Sequence, residues 1–331
     1  RAYDKCIDES TTDIFMIFHA DMMLGKNADL EAFKYLDRKK VVCATRIEPP
    51  LHPENGEKII RDFGMWPEKD VEEGWLEEDF DKYVEEAKVE YKDKTTNGCF
   101  APWMMYKDDF ISIGGHDPRF ASAREDSDVF NRLSIGGFEL IQSWQSFVYH
   151  LTARGGQFQH GKLTKEHSQK SEEWQKLMNN STREFFRKWG TPVLHDNLLK
   201  PIVPPKYDIG FVVKNCNEQV LEMLEPWCST IYVDTYAEDY INREQPNTTD
   251  DLTNKIYSID VDVQNDIEVR FDGSKLNNQN FNYIVQLSQI LANNELEIGS
   301  FELDIFEIQI SRIHTREKEL VVNENTMFNT N

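Results

Sequence analysis

The sequence is short of positive charge. Its 331 residues include 37 Lys and Arg against 59 Asp and Glu, which gives a formal net charge of -22. Nucleic acid phosphates repel an acidic chain, and no basic run interleaved with aromatic residues offsets the imbalance, so the composition argues against nucleic acid binding. No apolar segment approaches the roughly 20 residues that cross a bilayer, and the first residues do not resemble a signal peptide. We therefore expect neither a nucleic acid partner nor a membrane span.

Cysteine is also scarce and scattered. The five cysteines are odd in number and show no CxxC spacing of the metal-binding kind. Reduced thiols and a reducing, cytoplasmic compartment are therefore expected. The sequence also lacks an initiator methionine and begins inside a helical pattern, which leads us to expect that residues preceding Arg1 are missing.

Apolar residues, in contrast, are frequent enough for a sizeable core, at 39% hydrophobic and 12% aromatic. The patterns predict an α/β fold in which residues 1–195 form a mostly parallel sheet flanked by helices. A proline-rich linker follows over residues 196–206. Beyond it we predict a small α+β domain of the split β-α-β type over residues 207–320 and a tail over residues 321–331.

The first strand-like run ends close to an acidic residue. Residues 13–18 are apolar after Asp13, a pattern typical of a strand buried in a parallel sheet, and His19-Ala20-Asp21 follows directly. A helix over residues 27–36 and a strand over residues 41–46 complete a β-α-β unit. An acid at the carboxyl end of such a strand lies where open α/β sheets bind ligands. The alternative is that Asp21 merely begins a turn.

A second group of acids, Glu125-Asp126-Ser127-Asp128, opens an amphipathic helix in the middle of the chain. Carboxylates at a strand-to-helix junction can meet a substrate, and like-charge crowding can raise the pKa of Asp126 so that it accepts a proton near neutral pH. The alternative is that these acids only favour the helix N-terminus through its dipole. We assign Asp128 to the helix cap.

His150 stands where another strand ends, since residues 137–150 alternate and then run apolar. A single histidine in such a place is more often structural than a ligand. Its significance increases if it converges with Asp21, because an imidazole nitrogen and a carboxylate oxygen together suit Mn²⁺-like divalent ions.

The segment of residues 152–169 is rich in Gly, His, Lys and Gln and is basic within an acidic chain. It contains Arg154 and Lys162. The segment is either an ordinary surface loop or a lid whose cations meet a diphosphate.

Taken together, these motifs resemble the family-2 glycosyltransferases of the GT-A fold over residues 1–195. The resemblance is carried by Phe18-His19-Ala20-Asp21, Gly-Gly-His-Asp-Pro-Arg-Phe at residues 114–120, the Glu125-Asp126 pair, Phe-Val-Tyr-His at residues 147–150 and Phe-Arg-Lys-Trp-Gly at residues 186–190. It implies a nucleotide-sugar-dependent transferase of the hexosyltransferase type. Its cofactor would be a divalent metal, Mn²⁺ or Mg²⁺, and its substrates a nucleotide-diphosphate sugar and a glycan or other hydroxyl acceptor.

The resemblance also assigns roles to individual residues. His19-Ala20-Asp21 stands where the family has its Asp-x-Asp motif, so that Asp21 would bind the metal and His19 would lie beside the donor diphosphate. Asp126 matches the catalytic base, Glu125 is its neighbour, and His150 matches a further metal ligand. Two features depart from the family pattern: His19 replaces the first acid of the motif, and the usual first β-α unit is not in this chain.

Two functions of different class follow from the sequence. The first is a metal-dependent glycosyltransferase, inverting because a carboxylate is available as base. The second is a glycosyltransferase-like module for glycan binding or assembly with weak or no catalysis, and nucleotidyl transfer ranks third. We assign the C-terminal domain to acceptor binding or assembly, including oligomer formation.

Overall fold

The computed structural model describes residues 2–50, 55–64, 76–120, 123–151, 172–293 and 297–322. Within these ranges the strands belong to two sheets. The first sheet is built from β1 Ile14–Ile17, β2 Met22–Leu24, β3 Lys40–Glu48, β4 Lys58–Ile60, β5 Thr95–Thr96, β6 Trp103–Tyr106 and β7 Glu139–His150.

The first sheet is mixed, so the prediction of a mostly parallel sheet is wrong. Its main order is β1-β6-β3-β7-β2, with β4 beside β3 and β5 beside β7. Only the β3/β7 and β3/β4 pairs are parallel, whereas the other four are antiparallel. β1 and β3 do run in the same direction, as a β-α-β unit requires, but β6 lies between them. An apolar run indicates a buried strand and not its direction, which is why the sequence did not reveal the insertion.

Helices cover both faces of this sheet, as predicted. They are α1 Ala2–Glu9, α2 Ala28–Phe33, α3 Glu77–Glu90, α4 Lys107–Ser112, α5 Glu125–Ile135 and α6 Glu172–Trp189. Neighbouring residues of β7 face opposite sides: Val148 packs in the core with Val129 and Leu133 of α5. Phe147 packs in a separate core with residues of α3 such as Phe80. The alternation of β7 thus joins two helical layers through the sheet.

The second sheet is built from β8 Ile209–Lys214, β9 Thr230–Val233, β10 Ile256–Ser258, β11 Ile267–Asp272, β12 Gly299–Leu303 and β13 Phe306–Ile310. Its order is β10-β9-β8-β11-β13-β12. The first four strands are parallel and the last two pair in antiparallel fashion. The strand-helix-strand units predicted for this part are present, but the split β-α-β arrangement is wrong, because the parallel strands make it α/β.

Helices of the second part pack on the core of this sheet. They are α7 Glu218–Leu224, α8 Glu238–Glu244, α9 Asn278–Val285 and α10 Leu287–Asn293. The shared core includes Phe211 and Val213 of β8, Leu221 of α7 and Ile284 of α9. Along β11 buried residues alternate with more exposed ones, so the opposite face of the sheet carries polar side chains.

A buried ionic cluster joins α6 to the second part of the chain. The Arg187 side chain is fully buried. Its Nη2 lies 2.6 Å from Oε2 of Glu225 and 2.6 Å from Oε1 of Glu244, and Lys255 Nζ lies 2.8 Å from Oε1 of Glu225. Replacing one member of such a hydrogen-bonded ion pair costs stability, because the charge of the other member stays buried without its partner.

The proline-rich segment over residues 196–206 is packed and not free. A Cβ atom on Gly98 would lie 1.6 Å from the Leu198 carbonyl oxygen, so only glycine permits this approach. At the other end of the segment, Lys206 Nζ donates a hydrogen bond of 3.0 Å to the Arg187 carbonyl oxygen. The division of the chain at this segment stays a prediction.

Candidate functional site

Strand pairing brings Asp21 and His150 together. β2 runs antiparallel to the end of β7, with Met22 opposite His150, and the Leu151 N–H donates to the Asp21 carbonyl oxygen at 2.8 Å. Asp21 lies in the turn between β1 and β2 and not at the end of β1 itself. Its Oδ2 is 3.6 Å from His150 Nε2, so two residues that are distant in sequence present their ligand atoms to the same point.

The spacing of these two atoms fits one divalent ion. Ligands about 2.1 Å from a common ion can be separated by up to about 4.2 Å, and 3.6 Å lies within that reach. On the other side of the ring, His150 Nδ1 lies 2.7 Å from Oε1 of Glu48, which is buried. A carboxylate that accepts from Nδ1 leaves the Nε2 lone pair for a metal, and such partners are common behind metal-binding histidines.

Glu48 was not singled out from the sequence. It lies at the end of β3, two residues beyond Arg46, so both side chains face the same side of the strand. Arg46 Nη1 and Lys58 Nζ each lie 2.9 Å from an oxygen of Glu48. The Arg-x-Glu alternation was the available signal, but it gave no indication of contact with His150.

The charges around His150 influence each other. Burial lowers the pKa of His150, but hydrogen bonds and charges from Asp21 and Glu48 outweigh it, so the pKa is raised. Burial raises the pKa of Glu48, but His150, Arg46 and Lys58 lower it to about 2. The pKa of Asp21 is likewise lowered, because the effect of His150 exceeds that of burial. Without a metal, the imidazolium therefore forms ion pairs with two carboxylates.

No third metal ligand is in place among the described residues. Over residues 2–50, 55–64, 76–120, 123–151, 172–293 and 297–322, no group of three or more His, Cys, Asp or Glu side chains is placed to hold an ion. Among the described residues, Asp21 and His150 therefore offer two protein ligands to an ion.

Metal binding at this pair should depend on pH. Because His150 must lose its proton to bind a metal, we expect Mn²⁺ affinity to fall by about tenfold per pH unit below its raised pKa. In the metal-free protein, the stability that His150 contributes changes with pH in the direction opposite to the metal affinity. The ion pairs of His150 contribute their full stability below the unfolded pKa of about 6.5 and lose it as pH rises through the folded value. Thermal unfolding with and without Mn²⁺ at pH 6 and pH 8 measures both effects.

Asp21→Ala should remove most of the stabilisation by Mn²⁺, whereas Asp29→Ala, a change of an exposed acid on α2, should preserve it. A Mn²⁺ response that is unchanged in Asp21→Ala would contradict the site.

Asp126 and Glu125 form the first turn of α5, next to the Asp21–His150 pair. Asp126 Oδ2 lies 3.8 Å from His19 Nε2, and the Asp126 side chain is 20% exposed. Burial raises the pKa of Asp126, with His116 and the Trp103 indole acting in the opposite direction. Burial and then the negative charge of Asp126 raise the pKa of Glu125. A carboxylate with a raised pKa and partial access to solvent is suited to accept a proton near neutral pH.

His19 lies between the two groups. Burial lowers its pKa, and the charge of Asp21 does not restore it. Its ring stacks on Tyr3 and meets the edge of Phe100, with centroids 6.5 Å and 6.3 Å apart. A neutral His19 supplies no charge, and the lowered pKa of Asp21 makes Asp21 the anionic side chain of the His19-Ala20-Asp21 segment.

Asp128 is not a helix cap, which corrects the sequence prediction. It is fully buried, and its Oδ2 accepts from Arg132 Nε at 2.8 Å. Its Oδ1 accepts from Lys188 Nζ at 2.6 Å and from Trp189 Nε1 at 3.0 Å. The cations hold its pKa below the usual range despite burial. The signal in the sequence that Asp128 forms an ion pair was Arg132, which lies four residues further along the helix.

A cavity of about 270 Å³ adjoins Asp126. It is lined by the start of α5, by the end of β3 and by residues that follow α6: Arg46, Cys99, Phe100, Arg124, Asp126, Ser127, Phe130, Asn131, Val193, Leu194, His195, Leu199 and Pro201. Two larger cavities, of about 390 Å³ and 590 Å³, lie on the polar face of the second sheet and share no residue with this cluster. Chemistry and not size therefore selects the cavity beside Asp126.

Two of the predicted donor-binding residues, Arg154 and Lys162, lie outside the described residues. The other five, His19, Asp21, Glu125, Asp126 and His150, are brought to one region of the sheet edge. Two contacts support this grouping: Asp126 Oδ2 lies 3.8 Å from His19 Nε2, and Asp21 Oδ2 lies 3.6 Å from His150 Nε2.

Comparison with known proteins gives no family for this chain. A scan against models of protein families found no match, and a search of curated proteins found none. In the described part of the chain, every helix is too short or too polar to cross a membrane.

Proposed function

We propose that this chain is a metal-dependent glycosyltransferase that moves a sugar from a nucleoside diphosphate donor to an acceptor hydroxyl, with Asp126 as the base. The observation that carries the proposal is the approach of Asp21 to His150, with Glu48 behind the imidazole. The second support is the raised pKa of Asp126 beside a cavity large enough for one sugar ring.

The metal-binding pair and Asp126 have separate roles in the proposed reaction. A divalent ion bound by Asp21 and His150 would neutralise the leaving diphosphate. The acceptor oxygen forms a bond to the anomeric carbon while the bond from that carbon to the diphosphate oxygen breaks, and the acceptor proton passes to the Asp126 carboxylate. Because this is a single displacement from the face opposite the leaving group, the product has the inverted configuration.

Glu125 and His19 support the base and do not react. The negative charge of Asp126 adds to burial in raising the pKa of Glu125, so Asp126 is the acid that ionises first and serves as the base. The neutral His19 lies 3.8 Å from Asp126 and adds no negative charge beside it.

A glycan-binding or assembly module without catalysis is the second candidate. It is favoured by one observation: His150 already forms ion pairs with Asp21 and Glu48, and the described residues supply no third metal ligand. In that case the same contacts would only hold the sheet edge together, and the cavity beside Asp126 would bind a sugar without transferring one.

Turnover of a panel of nucleotide sugars separates the two candidates. We expect release of the nucleoside diphosphate to require Mn²⁺ or Mg²⁺ and to be lost in Asp21→Ala. Asp29→Ala is the control for the loss of one acid. Binding of glycans without release of nucleoside diphosphate from any donor, with or without metal, would establish the binding module instead.

A further inference from the structure

Arg124 occupies a position where both its backbone conformation and its positive charge are unfavourable. It is the residue immediately before α5, and its backbone is left-handed, with φ 70° and ψ -4°, a conformation that costs a non-glycine residue on the order of 1 kcal/mol. It also places a cation at the positive end of the helix dipole, where acceptors such as Asp or Ser are preferred. Local costs of this kind are expected where function requires them.

The guanidinium of Arg124 is only partly engaged. Its Nε donates to Thr182 Oγ1 of α6 at 3.3 Å. Its two terminal nitrogens make no hydrogen bond or salt bridge with the residues that the structure describes. Burial lowers the pKa of Arg124, which indicates that water solvates the cation incompletely. A half-buried guanidinium with two free donors matches a carboxylate or a phosphate, which accept in the same plane.

Arg124 also lines the cavity beside Asp126, together with Asp126 and Ser127. The first turn of α5 therefore faces the cavity, and Arg124 provides no side-chain acceptor for its N–H groups. The other arginine of the cavity, Arg46, is already bound to Glu48 and Glu57, and its guanidinium lies 3.7 Å from the centroid of Phe100. Of the two arginines among the described residues that line the cavity, Arg124 is thus the one that remains for a ligand.

The neighbouring acids form no hydrogen bond or salt bridge with Arg124 in the part of the chain that the structure describes. Asp128 accepts from Arg132, Lys188 and Trp189, which leaves no charge for a further partner. The charge of Glu125 opposes the effect of burial on the pKa of Arg124, but no direct contact ties up the guanidinium.

We propose that the acceptor of this enzyme carries an anionic group, a carboxylate or a phosphate, that binds Arg124 while its reacting hydroxyl meets Asp126. The inference rests on the proposed transferase, and it adds the class of acceptor. Arg124 is a specificity-determining residue: it selects anionic sugars over neutral ones and takes no part in proton transfer.

Binding of three sugars that differ at one carbon tests the proposal without turnover. Glucose, glucuronic acid and glucose 6-phosphate are titrated into the full chain and followed by ligand-detected NMR. We expect at least one of the anionic sugars to bind about tenfold or more tightly than glucose, as charge-assisted hydrogen bonds give. Glucuronic acid and glucose 6-phosphate distinguish a carboxylate from a phosphate as the preferred group.

Substitutions of Arg124 test whether this residue causes the preference for anionic sugars. Arg124→Gln should bind the three sugars equally and Arg124→Lys should keep part of the preference, whereas Arg312→Gln, which removes one exposed charge from the second part, should behave as wild type. Equal binding of all three sugars by wild type, no binding of either anionic sugar, or a preference that survives in Arg124→Gln would overturn the proposal. Transfer to an anionic acceptor at the wild-type rate in Arg124→Gln would reject this inference and leave the transferase intact. Anion binding at Arg124 without any transfer would do the reverse.

Discussion

Asp126→Asn is expected to lower kcat by about a hundredfold or more, because the amide keeps the shape of the carboxylate and cannot accept the acceptor proton. Metal and donor binding should change little, since Asp126 is 3.8 Å from His19 and is separate from the Asp21–His150 pair. Steady-state rates and Mn²⁺ titrations on the same variant measure the two effects.

The pH profile gives an independent reading of the same residue. The raised pKa of Asp126 places its protonation closer to neutral pH, so wild-type kcat should fall as pH decreases through that value. Asp126→Asn should lose this acidic limb. Asp108→Asn, a change of an exposed acid, should keep both the rate and the limb. If Asp126→Asn transfers sugar at the parent rate, another group is the base.

Asp128→Asn should produce the largest loss of stability of any single acid in this region, on the order of 3–5 kcal/mol. Arg132 would then keep its charge in a buried site that has lost its carboxylate, and Lys188 would keep only its contact with Asp117. Urea unfolding at pH 7 measures the loss. The exposed Asp29→Asn on α2 is the matched control and should cost less than about 1 kcal/mol.

Acid should remove the same contribution from the wild type. The folded pKa of Asp128 is lowered, so its contribution is complete above the unfolded pKa of about 3.8 and is lost as pH falls through the folded value. If Asp128→Asn unfolds at the same urea concentration as the parent, the cluster contributes little.

The outcome for Asp128 shows where sequence reasoning reaches its limit. Acids at a helix start are common, and dipole arguments explain them without any tertiary contact. Which of them is buried depends on α6, whose Lys188 and Trp189 arrive from about sixty positions away. Helical periodicity in the sequence describes each helix separately, so it does not predict the contact between α5 and α6.

Asp21 and His150 were more accessible to prediction, because both stand beside apolar strands and strand ends gather at the edges of a sheet. The direction of the strands was not accessible. β6 reads as an apolar run like any buried strand, yet it pairs antiparallel with both β1 and β3. Pairing partners depend on contacts between distant residues. The positions of the longer apolar strands could therefore be anticipated better than their pairing in the sheet.

Neighbouring residues of α6 hold two different parts of the molecule. Arg187 is bound to Glu225 of the second part, and the next residue, Lys188, is bound to Asp128 at the start of α5. A fragment that ends at residue 195 would keep Lys188 in place but would leave Arg187 without Glu225 and Glu244. Helix α6, which supports the start of α5, therefore depends for its own stability on residues of the second part of the chain. A truncation within the proline-rich segment would remove those residues and should destabilise the helix.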